Sequence, residues 1–348
     1  MTQVTMDVAL PPCSEINTVY FFVDPVNSRF PGFSKLLREM TKVFPRAEVI
    51  PTLEGRTRED FIIPVGIVAS DIYLRSPFRR RISFLIDSTV LGLWSGLKFY
   101  LRRKDIFNRQ ALRILLRLVK YMFLERRVAR AFEKVIVVSP YDAAFLASVF
   151  NVRNAEVIMN GADLPSGEPA RTAGFSYTLG ILSYWGASAY HDVNWFIEDY
   201  LPRLRKKFPE LRLVTAGRGA SDELVEYFAK HGVVHMGEVA DLTSFFSSID
   251  IYVTTLRQEC GILNKVLDAF AHRKIVIGLR GNMHPFRKLE NGFFTYTNLK
   301  DLEEAIRTIE MNPEKAEQMT LNAYRYILEQ HDWKKNYSRL KAIVESLA

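Results

Sequence analysis

Two stretches of the sequence put chemically capable side chains where apolar ones would be expected. GILNKVLDAFAHRKIVIG, residues 261–278, reads as a buried helix followed by a buried strand, yet it carries Asn264, Lys265 and, one turn on, Asp268. An ammonium beside a core is costly, so either it snorkels to solvent or an anion sits next to it. Helix N-termini attract anions, and Gly261, opening a helix that begins near Ile262, would let backbone approach such an anion closely. The second stretch is ISFLID, residues 82–87, a strand whose last residue is Asp87. An acid at a carboxyl strand end suits a general base acting on a hydroxyl. Asp87 or Ser88 ahead of a helix equally suits an N-cap.

The elements that must position these residues are legible as an alternation. Apolar, β-branched runs at 18–23, 47–51, 61–69, 82–87, 134–139 and 155–160 read as strands, followed by 177–185, 211–217, 233–237, 250–255, 274–279 and 293–297. Helical periods such as DVNWFIEDYLPRLRKKF and SDELVEYFAKHG lie between them. Strand–helix alternation with runs lacking period-2 polarity predicts parallel sheets covered on both faces. NGADLPSGEPARTAGF, residues 160–175, has the composition of a linker. The expected architecture is α/β, with two doubly wound Rossmann-like domains, 1–162 and 163–348, facing across a cleft at their carboxyl strand ends.

Composition restricts the function. A hydrophobic fraction of 48% with 25% charged residues is that of a globular chain. Two cysteines, Cys13 and Cys260, argue for a reducing compartment. The start MTQVTMDVALPPC lacks a basic segment leading into an apolar run, and no window offers the roughly 20 apolar residues of a membrane span; cytoplasm is the expectation. Neither an Asp-x-Asp motif nor a His/Cys cluster is present, so neither metal nor cofactor is expected. The net charge of +8 is uneven: residues 75–130 carry +12, leaving −4 for the rest. Arg109, Arg113, Arg117, Lys120 and Arg127 form one helical stripe, with Ile106, Leu112, Leu115, Leu116, Val119 and Phe123 supplying apolar faces; upstream lie FRRR (78–81) and LKFYLRRK (97–104), with Trp94, Phe99 and Tyr100 interleaved. Basic residues beside aromatics suit an anionic membrane surface. A solvated helix face is the alternative, and the absence of nucleic-acid motifs argues against RNA or DNA.

The ordered set KVIVVSPYDAAFL, VIMNGAD, LGILSYWG, LRLVTAGRG, VVHMGEVADLTSFFSSIDIYV and GILNKVLDAFAHRKIVIG resembles the GT-B glycosyltransferases, specifically the retaining family 4, or group 1, type. The resemblance spans roughly residues 130–345. It implies a nucleotide-sugar donor, with Gly186, Arg218, Gly261, Asn264, Lys265 and Asp268 on the donor side and Gly32 in an acceptor-side loop. Asp268 stands for the second of the family's paired glutamates. The first falls on Cys260, so Glu259 is one position out of register as its counterpart. The family's Arg and Lys after the first C-domain strand are absent from SYWGASAYHDVNWF, and Arg218 is the candidate replacement. Asp87 and Glu259 are the catalytic candidates. HDWKKNYSRL (331–340) resembles the family's last helix, which crosses back to the first domain. The implied activity moves a sugar, with retention, to a lipid-linked or polysaccharide-precursor glycan acceptor at the inner membrane face. If Asp87 is a true base, inversion is the better expectation. The missing cation pair also fits a degenerate GT-B subunit that scaffolds a partner transferase.

Overall fold

The computed structural model describes residues 18–24, 31–102, 109–167, 175–186, 190–257 and 259–348. The first six strands are β1 (Val19–Val23), β2 (Ala47–Ile50), β3 (Phe61–Val65), β4 (Ile82–Ile86), β5 (Lys134–Val137) and β6 (Ala155–Val157). They form one parallel sheet in the order β2-β1-β3-β4-β5-β6. The next six are β7 (Thr178–Leu182), β8 (Arg212–Ala216), β9 (Val234–His235), β10 (Ile251–Val253), β11 (Ile275–Leu279) and β12 (Phe294–Tyr296). They make a second parallel sheet, β12-β11-β10-β7-β8-β9. Each apolar run read from the sequence forms a strand. The run at 61–69 is split, because Gly66 adopts φ 90° and turns the chain into a helix.

The helices of the first half are α1 (Pro31–Thr41), α2 (Ile67–Tyr73), α3 (Thr89–Arg102), α4 (Arg109–Ala131) and α5 (Pro140–Phe150). Those of the second are α6 (Tyr190–Trp195), α7 (Leu201–Lys207), α8 (Asp222–Lys230), α9 (Leu242–Ser247), α10 (Asn264–Ala271), α11 (Leu299–Met311), α12 (Pro313–Gln330) and α13 (Trp333–Ser346). A π turn at Phe196–Tyr200 joins α6 to α7 just ahead of Pro202, which has no N–H to continue an α ladder. All five residues of β3 are buried, as a strand covered by helices on both faces requires. Strand order reverses between β1 and β3 and between β10 and β7. A doubly wound sheet binds its ligands at such points.

Asp332 caps α13 by accepting the Lys335 N–H at 2.6 Å. Tyr337, Leu340 and Val344 of that helix share one buried core with Leu36, Leu37 and Met40 of α1. The last helix therefore braces the first domain, as expected. The turn before it also grips the segment between the sheets. His331 Nδ1 donates to the Asn160 carbonyl at 2.6 Å, and the Ala162 N–H donates to the His331 carbonyl at 2.8 Å. A Cβ at Gly161 would lie 2.4 Å from the Trp333 ring, so glycine is required there. Of the linker 160–175, residues 168–174 lie outside the described residues. The apolar faces read on α4 point outward: Leu112, Leu115, Leu116, Val119 and Phe123 are all exposed, and Ile106 lies outside the described residues. The helix buries Ala111, Glu125, Val128 and Ala129 instead.

Candidate active site

Asp87 owes its position to a strained neighbour. Ile86 ends β4 at φ 74°, a left-handed conformation that costs a β-branched residue about 1–3 kcal/mol. The register with β5 shifts between Phe84 and Ile86, and the Val138 N–H holds the Ile86 carbonyl at 2.7 Å. The kink turns Asp87 into a cleft of about 380 Å³ that it shares with Gly66, Thr89, Cys260 and Gly261. The cap of α3 belongs to Ser88, whose Oγ accepts the Leu91 N–H at 3.2 Å. Asp87 is thereby released from that duty.

Around Asp87 the first domain gathers acids. Asp142, in the first turn of α5, accepts the Ser88 N–H at 2.8 Å and the Gly261 N–H at 2.9 Å. Ser139 also donates to it. Glu125, deep on α4, accepts the Val90 N–H at 2.8 Å while its Oε1 is buried without a hydrogen-bond partner. Burial, then the charge of Asp142, pushes the Asp87 carboxyl up to about 7. Burial pushes Glu125 up to about 7 and raises Asp142 as well. A carboxyl so placed holds its proton until near neutrality and can exchange it during turnover.

The second domain presents a different wall. Gly261 adopts φ 68°, and a Cβ there would lie 3.1 Å from Asp87 Oδ2, so the two domains touch at this point. Contrary to expectation, Gly261 does not open the helix. α10 starts at Asn264, and the Gly261 N–H is occupied by Asp142 rather than offered to an anion. Asn264 accepts a bond from Asn160 Nδ2 at 2.8 Å, tying the α10 start to the inter-sheet segment. Lys265 turns toward the β7/β10 crevice, where its Nζ donates to Ser183 Oγ at 3.1 Å. That crevice is the switch point of the second sheet. Arg218 and Gly186 flank the Tyr184 ring: the guanidinium lies 5.8 Å from its centroid, and a Cβ on Gly186 would lie 2.7 Å from it.

Residues 178–312 match the family model for glycosyl transferases group 1. No curated protein matches the chain. Among solved structures, Anabaena HepE in complex with UDP is similar at TM-score 0.66 and 15% identity, covering 94% of this chain and 100% of that one. Sucrose-phosphate synthase from Thermosynechococcus elongatus matches at TM-score 0.61 and 15% identity, over 82% of this chain and 73% of that one. TarM, from S. aureus, matches at TM-score 0.62 and 13% identity over 83% of this chain; the matched part spans 55% of TarM. This is the GT-B fold.

Within the GT-B cleft the remaining expected residues are scattered. Glu259 is ion-paired with Lys98 of α3, and its N–H donates to Ser95 Oγ at 3.2 Å. Its side chain packs over Gly281, where a Cβ would come within 2.3 Å. Asp268 is buried and lies 3.4 Å from Lys35 of α1, itself 3.1 Å from Asp163. Burial pushes Asp268 up to about 6 against the pull of Lys35. The carboxylate is thus engaged with the opposite domain. Gly32 sits inside the first turn of α1, not before it, and residues 25–30 of its loop lie outside the described residues. Sequence reasoning missed Asp142, Glu125 and Lys98. Glu125 had a signal, as one of three acids in a segment of fifteen cations. Asp142 had another, three residues beyond the cap Ser139 at the end of the strand next to β4.

Proposed function

We propose that the chain transfers a sugar from a nucleotide-diphosphate donor to a hydroxyl of a lipid-linked or polysaccharide-precursor glycan at the cytoplasmic membrane face, without a metal. The observation that carries this reading is the meeting of Asp87 with the segment leading into α10: a carboxyl titrating near 7 lies beside the turn whose helix presents Lys265. The diphosphate lodges at the β7/β10 switch point, held by Lys265 and the first-turn N–H groups of α10. Stabilising its charge as the glycosidic bond breaks is the main catalytic contribution of the second domain. Asp87 orients the acceptor hydroxyl or takes its proton. A second cavity of about 450 Å³, walled by Tyr141, Trp195, Tyr200 and Tyr296 with Lys98 and Glu259 at its edge, offers the apolar faces and polar rims that suit a sugar. HepE, solved with UDP and with UDP-glucose, supports a nucleotide sugar as donor.

The test measures UDP or GDP release from candidate sugar donors with and without membrane extract, alongside calorimetry with each nucleotide. Donor-specific release stimulated by extract supports the reading. Indifference to every nucleotide supports the degenerate subunit, which the absence of Arg and Lys from 183–195 favours. The anomeric configuration of the product separates retention, implied by the family resemblance, from inversion, which in-line attack assisted by Asp87 would give.

A further inference from the structure

The outward face of α4 combines two surfaces that a solvated helix does not need. Leu112, Leu115, Leu116, Val119 and Phe123 are exposed, Leu116 at 64% and Phe123 at 73%. At 100° per residue they fall within one stripe about 100° wide. Arg109, Arg113, Arg117, Lys120 and Arg127, all exposed, occupy roughly the adjoining 80°. The inner face is filled, with Ala111, Glu125, Val128 and Ala129 buried. The helix therefore cannot roll to hide its leucines. Large exposed apolar patches mark an interaction surface, and an apolar stripe edged by cations is complementary to a bilayer with anionic headgroups. A nucleic acid would engage the cations and leave the leucines and Phe123 in water.

The same helix reaches the chemistry. Arg117 and Tyr121, whose ring centroid lies 6.0 Å from the guanidinium, line the 380 Å³ cleft that contains Asp87 and Gly261. A ligand entering beside Arg117 from the α4 side arrives at Asp87.

We propose that α4 is a membrane-insertion face: its leucine, valine and phenylalanine stripe enters the headgroup–acyl boundary of an anionic bilayer while its basic edge engages lipid phosphates. The cleft mouth at Arg117 then lies against the bilayer surface, and a phosphate-bearing lipid acceptor extends its hydroxyl toward Asp87. This last step rests on the lipid-linked acceptor proposed above; the insertion itself does not. Binding of this kind has two components. The electrostatic one weakens as salt shortens the Debye length from about 10 Å at 0.1 M to about 3 Å at 1 M, whereas the apolar one persists.

Flotation of the full chain with phosphatidylglycerol-containing or pure phosphatidylcholine vesicles tests it. Wild type should float with the anionic vesicles, lose part of that binding at about 1 M salt and keep the rest. Leu116→Glu with Phe123→Glu, at positions exposed enough to leave the melting temperature unchanged, should cut partitioning at least about tenfold. That variant should keep wild-type UDP affinity and turnover on a water-soluble acceptor, so membrane failure and transferase failure read out separately. Complete loss of wild-type binding at about 1 M salt would overturn insertion, and so would unchanged flotation of the double variant. A lipid-free wild-type dimer that the double variant turns monomeric would assign the face to self-association instead.

Discussion

Asp87 lines the 380 Å³ cleft and Glu259, from the opposite domain, the 450 Å³ cavity, and the two keep different company. Glu259, from the second domain, is paired with Lys98 of the first. Asp87, from the first, lies beside Gly261 of the second, with Asp142 and Glu125 as its acidic neighbours. A carboxylate beside an ammonium spends its lone pairs on that ammonium. One surrounded by acids and protein atoms holds its proton up to neutrality. Of the two, Asp87 is placed for proton exchange and Glu259 for holding the domains together. Residue type alone does not distinguish them; their neighbours do.

The sharpest break of this comparison is Asp87→Asn, which keeps shape and removes the proton acceptor. Turnover should fall at least roughly a hundredfold, the low end for loss of a general base. In wild type the rate should rise with pH through about 7, where Asp87 ionises, and the variant should lose that limb. If Glu259→Gln proved as damaging as Asp87→Asn in the same assay, the two acids would have been assigned in the wrong order.

On the opposite wall, Lys265→Ala removes a charge-assisted contact, costing about 1.5–3 kcal/mol. Nucleotide-diphosphate affinity should weaken roughly ten- to a hundredfold by calorimetry. Affinity within about twofold of wild type would leave Lys265 as a structural partner of Ser183.

The acid cluster also carries a stability signature. The folded Asp87 titrates at about 7, against about 3.9 in an unfolded chain. Between those values the native state binds more protons, so stability falls as pH rises and levels off above about 7. Asp87→Asn removes that loss. That variant should therefore melt higher than wild type at pH 8, with the gap closing toward pH 4. His331 runs the other way. Burial lowers its pKa to about 4, so the stability it contributes is intact above about 6.5 and is lost as pH falls through about 4. A gap of the same size at pH 4 and pH 8 would mean that Asp87 ionises normally in the folded protein.

The central strands were legible because both faces of β3 and β10 are buried, which makes the run itself the signal. The crossing of α13 was legible through HDWKKNYSRL. The site was less so, because its contacts join residues distant in sequence: Asp142 to Gly261, Lys98 to Glu259, Lys35 to Asp268. No local period reports such pairs. Ile86 carries no mark of its left-handed backbone either, since strand context favours β-branched residues elsewhere. The stripe on α4 was legible as a face but not as a direction: helical spacing of leucines does not say which way they point, and the buried direction is taken by Glu125, Val128 and Ala129.

The smallest effect tests the other half of the comparison, the Lys98–Glu259 pair. Its side chains are 28% and 18% exposed, so water still screens the charges. A double-mutant cycle with Lys98→Met and Glu259→Gln, read by denaturant unfolding, should give a coupling of at most about 1 kcal/mol, as for partly exposed ion pairs. Turnover of either single variant should change by less than about tenfold if neither group touches the proton in flight. A coupling near 3 kcal/mol would place the pair in the desolvated regime, where losing one partner strands the other charge. Glu259 would then share the dry environment of Asp87, and the contrast between the two walls would collapse. A small coupling with a large loss of turnover would instead put Glu259 in contact with the donor sugar, stabilising positive charge at the anomeric carbon.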